Sequence, residues 1–190
     1  LIIASERDNP NRSLAAYYLN SAANIHLQMG DLDRATELLE EALALRKQVH
    51  DLTEAVVPAN LADLARVYVE RANYQVSEEL LLEAVASHSR VYNSDHPGLI
   101  DYYISLGSLY SDLNRVQDAQ NAYLEANRIA RIHFGETHDQ IAQIHLSLAK
   151  LHLQQDQLTK STSSLASARN TWQKLFGDQH PSLADAYALE

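Results

Sequence analysis

The sequence predicts an all-α chain built from antiparallel helix pairs, and three observations carry that prediction. The 190 residues are 46% hydrophobic but include only five Gly, four Pro and two Phe, which leaves few turn formers for a many-stranded sheet. Val57, Leu99, Ile141 and Leu183 follow one another at intervals of 42, and Ala15 extends the series without a gap. Within that frame the recurring side chains fall at spacings of 3, 4 and 7, which places each set on one face of a helix.

The columns of the frame define the pair. Small residues recur at Ala23, Ala65, Gly107 and Ala149, each preceded by an apolar neighbour at Ala22, Leu64, Leu106 and Leu148. Three residues on comes a ring, at His26, Tyr68, Tyr110 and His152. The second helix repeats Ala35, Ser77, Ala119 and Ser161, then Leu39, Leu81, Tyr123 and Leu165, then Ala42, Ala84, Ala126 and Ala168. Small side chains let two helices approach closely while leucines and rings fill the flanks. Enlarging Ala65 or Ala149 is expected to cost about 1 to 3 kcal/mol through overpacking. Truncating Tyr68 is expected to cost about 3 to 5 kcal/mol, the range for large aromatic rings in cores.

Connections follow the same period. Gly30 with Asp31, Asn114 and Asp156 occupy one frame position and tolerate helix ends. The second helices are expected to run to Val49, Val91, Phe134 and Phe176, followed by loops such as Asn93 to Pro97, Gly135 to Asp139 and Gly177 to Pro181. Pro97 and Pro181 suit the first turn of the next helix, and Thr137 with Gln140 has capping-box spacing. The segment His50 to Ala55 lacks the His-Pro pair, so a less regular turn is expected there.

Leu19 to Ala23, Leu64 to Tyr68 and the loop Gly177-Asp178-Gln179-His180-Pro181 resemble the tetratricopeptide repeat family, in the longer-repeat variety of kinesin light chains and many bacterial regulatory proteins. Gln155 to Lys160 and Val76 to Glu79 depart from the usual Gly-x-Tyr-x-x-Ala signature without breaking the frame. The resemblance implies a right-handed superhelical α-solenoid of antiparallel helix pairs, whose first helices line a concave groove for extended or helical peptides. It divides the chain, as one array, into a preceding tail and loop (1–13), repeats at 14–56, 57–98, 99–140 and 141–182, and the start of a further helix (183–190). Leu1 to Arg7 aligns with the tail of a second helix, so a longer multi-repeat or multidomain chain is expected.

With that geometry the peptide-binding positions are Tyr17, Asn20, Asn24, Arg66, Ile104, Ser108, Leu146 and Lys150. Asn20 and Asn24 are expected to offer amide contacts to a ligand backbone, with apolar contacts from Tyr17, Ile104, Leu146 and Leu153. Arg66 is expected to pair with Asp63 and Glu70, three and four residues away. Arg66 and Lys150 face Asp63, Glu70, Asp101 and Asp112 across the groove positions. That mildly acidic balance favours a neutral or weakly basic protein or peptide partner over an acidic tail, which needs several cations around an Asn.

Other chemistry is poorly represented. Net charge is −10 with scattered basic residues, which argues against nucleic acid and anionic lipid. No apolar run approaches the roughly 20 residues of a membrane span. Cysteine is absent, and with it thiolate sites and disulfides, which fits the cytoplasm or the periplasm, the former preferred. His96, His138 and His180 recur one repeat apart in loops, while His145 and His152 share a face without a His-Glu-x-x-His spacing, so no metal, cofactor or catalytic residue is expected. The function that follows is a protein-binding scaffold and not an enzyme. A regulatory module of a larger signalling enzyme or transcription regulator, and self-association through array ends, are the alternatives.

Overall fold

The computed structural model describes residues 10–47, 53–178 and 181–188, and every regular element among them is helical. The helices are α1 (Pro10–Gln28), α2 (Leu32–Lys47), α3 (Thr53–Glu70), α4 (Tyr74–Val91), α5 (Ile100–Asp112), α6 (Val116–Phe134), α7 (Asp139–Gln154), α8 (Leu158–Phe176) and α9 (Pro181–Tyr187), with a 3-10 turn at Pro97–Leu99 before α5. The chain falls into two compact units, Leu1–Ser94 and Asp95–Glu190. The division lies in the loop between the second and third repeats of the frame. The ends at Val91, Phe134 and Phe176 are those expected, whereas Val49, the turn at His50 and the segment Leu1 to Arg7 lie outside the described residues.

Each first helix turns into its second by one geometry. The amide of Asp31 donates to the His26 carbonyl, Asn73 to Tyr68, Arg115 to Tyr110 and Gln157 to His152, at 2.9, 2.8, 2.8 and 2.9 Å. The residue before each donor is in the left-handed region, at Gly30 (φ 77°), Ala72 (54°), Asn114 (56°) and Asp156 (53°), and bonds back three residues. This is the Schellman closure, which satisfies the last carbonyls of a helix and reverses the chain within a few residues. The ring column of the sequence therefore sits at the helix end, and that corrects one expectation. Tyr110 is buried, but Tyr68 is only half-buried at the edge of the unit 1 core, so its truncation costs less than the range for an enclosed ring.

The small-residue columns form the helix contacts. Ala23, Ala35, Ala42, Ala65, Ala84, Ala119, Ala126, Ala149 and Ala168 are buried, with Leu39, Leu81, Tyr123 and Leu165 beside them. In unit 1, Asn60 is fully buried on α3 yet satisfied, its Nδ2 donating to the Leu39 carbonyl at 3.0 Å and its Oδ1 accepting from Arg46. A buried amide with both ends bonded fixes the register of α2 on α3. In unit 2, Leu183 and Ala186 of α9 close over Leu165, Ala168 and Trp172 of α8.

The loops that restart helices use histidine. His96 and His138, one frame apart, are N-caps whose Nδ1 accepts from the amides of Gly98 and Gln140, at 3.1 and 3.3 Å. Thr137 is thus not the capping residue, and the expected capping box gives way to a cap one residue later. The Phe134 and His138 rings stack at 4.2 Å, which sets the imidazole over the helix start. Pro97 and Pro181 stand at the first position of their elements, as their fixed φ favours.

Candidate peptide-binding faces

In both units the first helices leave the expected groove positions accessible. Tyr17 is 61% exposed. Arg66, Ser108 and Lys150 are exposed, while Asn20, Asn24, Ile104 and Leu146 are half-buried. The helical period explains the contrast, since Ala16 and Ala23 flank Asn20 on the side turned into the core and are buried.

The α1–α3 face of unit 1 is a closed polar network. Asn20 Nδ2 donates to Asp63 Oδ2 at 2.6 Å, Arg66 donates to Asp63 Oδ1 at 3.3 Å and to Asn24 Oδ1, and Asn24 Nδ2 donates to the Asn20 carbonyl at 3.1 Å. Arg66 thus pairs with Asp63, whereas Glu70 makes no ion pair with it. Both asparagines are engaged with the next repeat. Asn20 Oδ1 is buried with no donor among the described residues, so it is not presented to an incoming chain.

The α5–α7 face of unit 2 differs in chemistry. Ser105 donates to the Asp101 carbonyl at 2.9 Å, and Ser111 donates to Gln154 Oε1 at 2.8 Å across the two helices. Lys150 is exposed and has no ion-pair partner among the described residues. Between the helices rises Tyr123 from α6, 3% exposed, its hydroxyl 3.2 Å from Ser108 Oγ and close to the Ser147 hydroxyl. Burial pushes the phenol up from its ordinary value, and the Asp112 charge adds to this while the two serine hydroxyls oppose it.

Tyr123 reaches that face because residue 107 is glycine. A Cβ built on Gly107 would lie 2.5 Å from the Tyr123 ring, well inside contact distance. The other repeats pair Ala with Leu at these two positions, as Ala23 with Leu39, Ala65 with Leu81 and Ala149 with Leu165. The smaller residue on α5 and the larger one on α6 are thus a matched exchange that brings a hydroxyl to the exposed Ser108 on α5. Sequence reasoning counted Tyr123 only as a bulky filler. The signal was the coincidence of two departures, Gly for Ala and Tyr for Leu, in one repeat.

Among the described residues no group of three His, Asp or Glu side chains is placed to hold a metal ion, and no described helix is long and apolar enough to cross a membrane.

Helix pairs on a 42-residue frame, closed by one turn geometry and leaving their first-helix faces open, define an α-solenoid repeat protein. Family models described as tetratricopeptide repeat match residues 57–132 and 15–52. The chain belongs to the tetratricopeptide repeat family. No curated protein matches it in sequence. Its fold is similar to that of BtubC (BKLC) from P. vanneervenii, at 16% identity and TM-score 0.85 over 94% of this chain and 71% of that one. It is also similar to a Podosopora anserina putative kinesin light chain with nearly identical TPR-like repeats, at 23% identity and TM-score 0.76 over 95% of this chain and 89% of that one. The Rap conjugation gene regulator of plasmid pLS20, solved in complex with the Phr* peptide, matches at 15% identity and TM-score 0.68 over 92% of this chain and 52% of that regulator. At these identities the likeness is one of fold.

Proposed function

We propose that this protein is an interaction scaffold that captures a peptide segment on its first-helix faces, in the groove that tetratricopeptide arrays line with those helices. The observation that carries the reading is the α5–α7 face, where Ile104 and Leu146 stand half-buried beside the exposed Ser108 and an unpaired Lys150. Leu146 packs by one side against the unit 2 core, and part-exposed apolar side chains set among hydrogen-bonding groups are what an extended or helical peptide requires. The pLS20 regulator, of the same fold, was solved with a peptide bound, which supports a peptide as the class of ligand. With Asp101 and Asp112 on α5 set against Lys150 on α7, the ligand is neutral or weakly basic.

Selection of peptides from a random display library on the full chain tests this. Peptides of neutral or positive charge should emerge, and Lys150→Glu and Ile104→Glu, both at accessible positions, should weaken their binding in fluorescence polarisation without loss of helical content. Selected peptides that bind both variants as tightly as wild type would place the binding surface elsewhere and refute the reading.

A further inference from the structure

Each hydroxyl offers one donor and two lone pairs. Ser108 and Tyr123 bring two O–H groups within 3.2 Å and share one hydrogen bond, with the Ser147 hydroxyl near enough to act on the phenol. One donor suffices for that bond, so at least one O–H has no acceptor within the cluster. Neither serine has another hydrogen-bond partner among the described residues. Backbone acceptors are within reach of serines on a helix, and Ser105 uses one, but Ser108 and Ser147 do not. The spare donor is thus available beside a surface where Ser108 is exposed and Ser147 half-buried.

This arrangement is confined to one repeat. At the position of Tyr123 the other repeats carry Leu39, Leu81 and Leu165, which fill the same space without a polar atom. A phenol placed there for packing alone brings a hydroxyl that needs partners and forces glycine into the interior of α5, where it weakens a helix. The exchange makes packing harder, and its gain is a rigid phenol bonded to Ser108, which is exposed on the accessible face. A buried ring bonded to Ser108 and packed against Gly107 loses little conformational freedom when it meets a ligand.

We propose that the Ser108–Tyr123–Ser147 hydroxyl cluster reads a backbone carbonyl of the bound peptide, making Tyr123 a specificity-determining residue and the α5–α7 face the principal contact. The inference rests on the peptide-capture reading above. A carbonyl fits the chemistry because the cluster has a donor to spare and no full charge, and because Asp101 and Asp112 on the same helix disfavour a carboxylate. The closed network on α1–α3 leaves that face fewer groups to offer.

The test uses the full chain and peptides selected on it from a random display library. Tyr123→Phe removes one oxygen and keeps the ring against Gly107. It should weaken binding about three- to tenfold, the range for one neutral hydrogen bond. Replacing peptide amides one at a time by esters, which are poorer acceptors, should weaken binding to wild type at one position and have a smaller effect there on Tyr123→Phe. That coupling would not arise from a structural role. The double variant Gly107→Ala/Tyr123→Leu adopts the pairing of the other repeats and provides a folded form without the phenol, which should bind as weakly as Tyr123→Phe. If peptides bind both variants like wild type while Lys150→Glu still weakens them, the hydroxyl reading is overturned and peptide capture on this face stands. If Lys150→Glu is also silent, both fall.

Discussion

Ala72 has φ of 54°, a conformation in which an L-residue's Cβ crowds its own backbone at a cost of about 1 to 2 kcal/mol. Its counterparts at the same turn are Gly30, Asn114 and Asp156, the residue types that tolerate this region. The alanine is held there because the amide of Asn73 must reach the Tyr68 carbonyl. Ala72→Gly should therefore stabilise the chain by about 1 kcal/mol, the relieved strain less the extra freedom glycine gives the unfolded chain. Urea denaturation would register this as a higher midpoint at unchanged slope, and a lower midpoint would show that the strain is not there. The turn was legible at three of its four occurrences because Gly, Asn and Asp announce it. At Ala72 nothing local does, and only the frame and the neighbouring repeats force the conformation. The same holds for the candidate site, where Asn20 and Asn24 read as available amides until Asp63 and Arg66, more than 40 residues on, are seen to engage them.

Helix ends govern the elements. The second helices begin after Asp31, Asn73, Arg115 and Gln157, and the first two accept from backbone amides three residues ahead. Arg115 and Gln157 make no such bond, which leaves amides of α6 and α8 to solvent. Arg115 has other work, pairing with Asp118 at 2.8 Å and lying over the Tyr110 ring at 4.3 Å. Gln157 is exposed at the start of a helix with no acidic residue in its first turn. Gln157→Asp should cap α8 and meet the positive end of its dipole, raising stability by about 1 kcal/mol. Thermal melts of the single variant check it, and an unchanged midpoint would mean the first turn of α8 is frayed in the folded chain. The histidines show why element boundaries are only partly readable. Thr137 and His138 both have side chains able to cap, and the choice fell to the residue whose ring also stacks on Phe134, a contact absent from any local pattern.

At the scale of the whole molecule the fold was legible because repetition multiplies weak signals. One column of small residues is ambiguous, but four in register, with rings and leucines at fixed offsets, leave one arrangement of helix pairs. What repetition conceals is the departure from it, and stability against pH depends on such departures. His145 occupies the position where other repeats carry Leu19, Leu61 and Tyr103, and His152 the position where two others carry Tyr68 and Tyr110 and the first carries His26. Burial lowers both below the usual histidine value of 6.5, aided by Arg131 at His145 and Lys160 at His152, against opposition from Glu136 and from a backbone bond at Lys160. Folded histidines that resist protonation bind fewer protons than the unfolded chain, so their contribution is complete above 6.5 and is lost as pH falls through the folded values. The net charge of −10 works the other way, since protonation relieves self-repulsion, but most of that relief awaits the carboxylates at lower pH. Between neutrality and the onset of carboxylate titration the urea midpoint should therefore fall as acid is added. In His145→Gln/His152→Gln that fall should be smaller. A variant whose midpoint follows the wild-type profile would assign the acid sensitivity to groups other than these two rings.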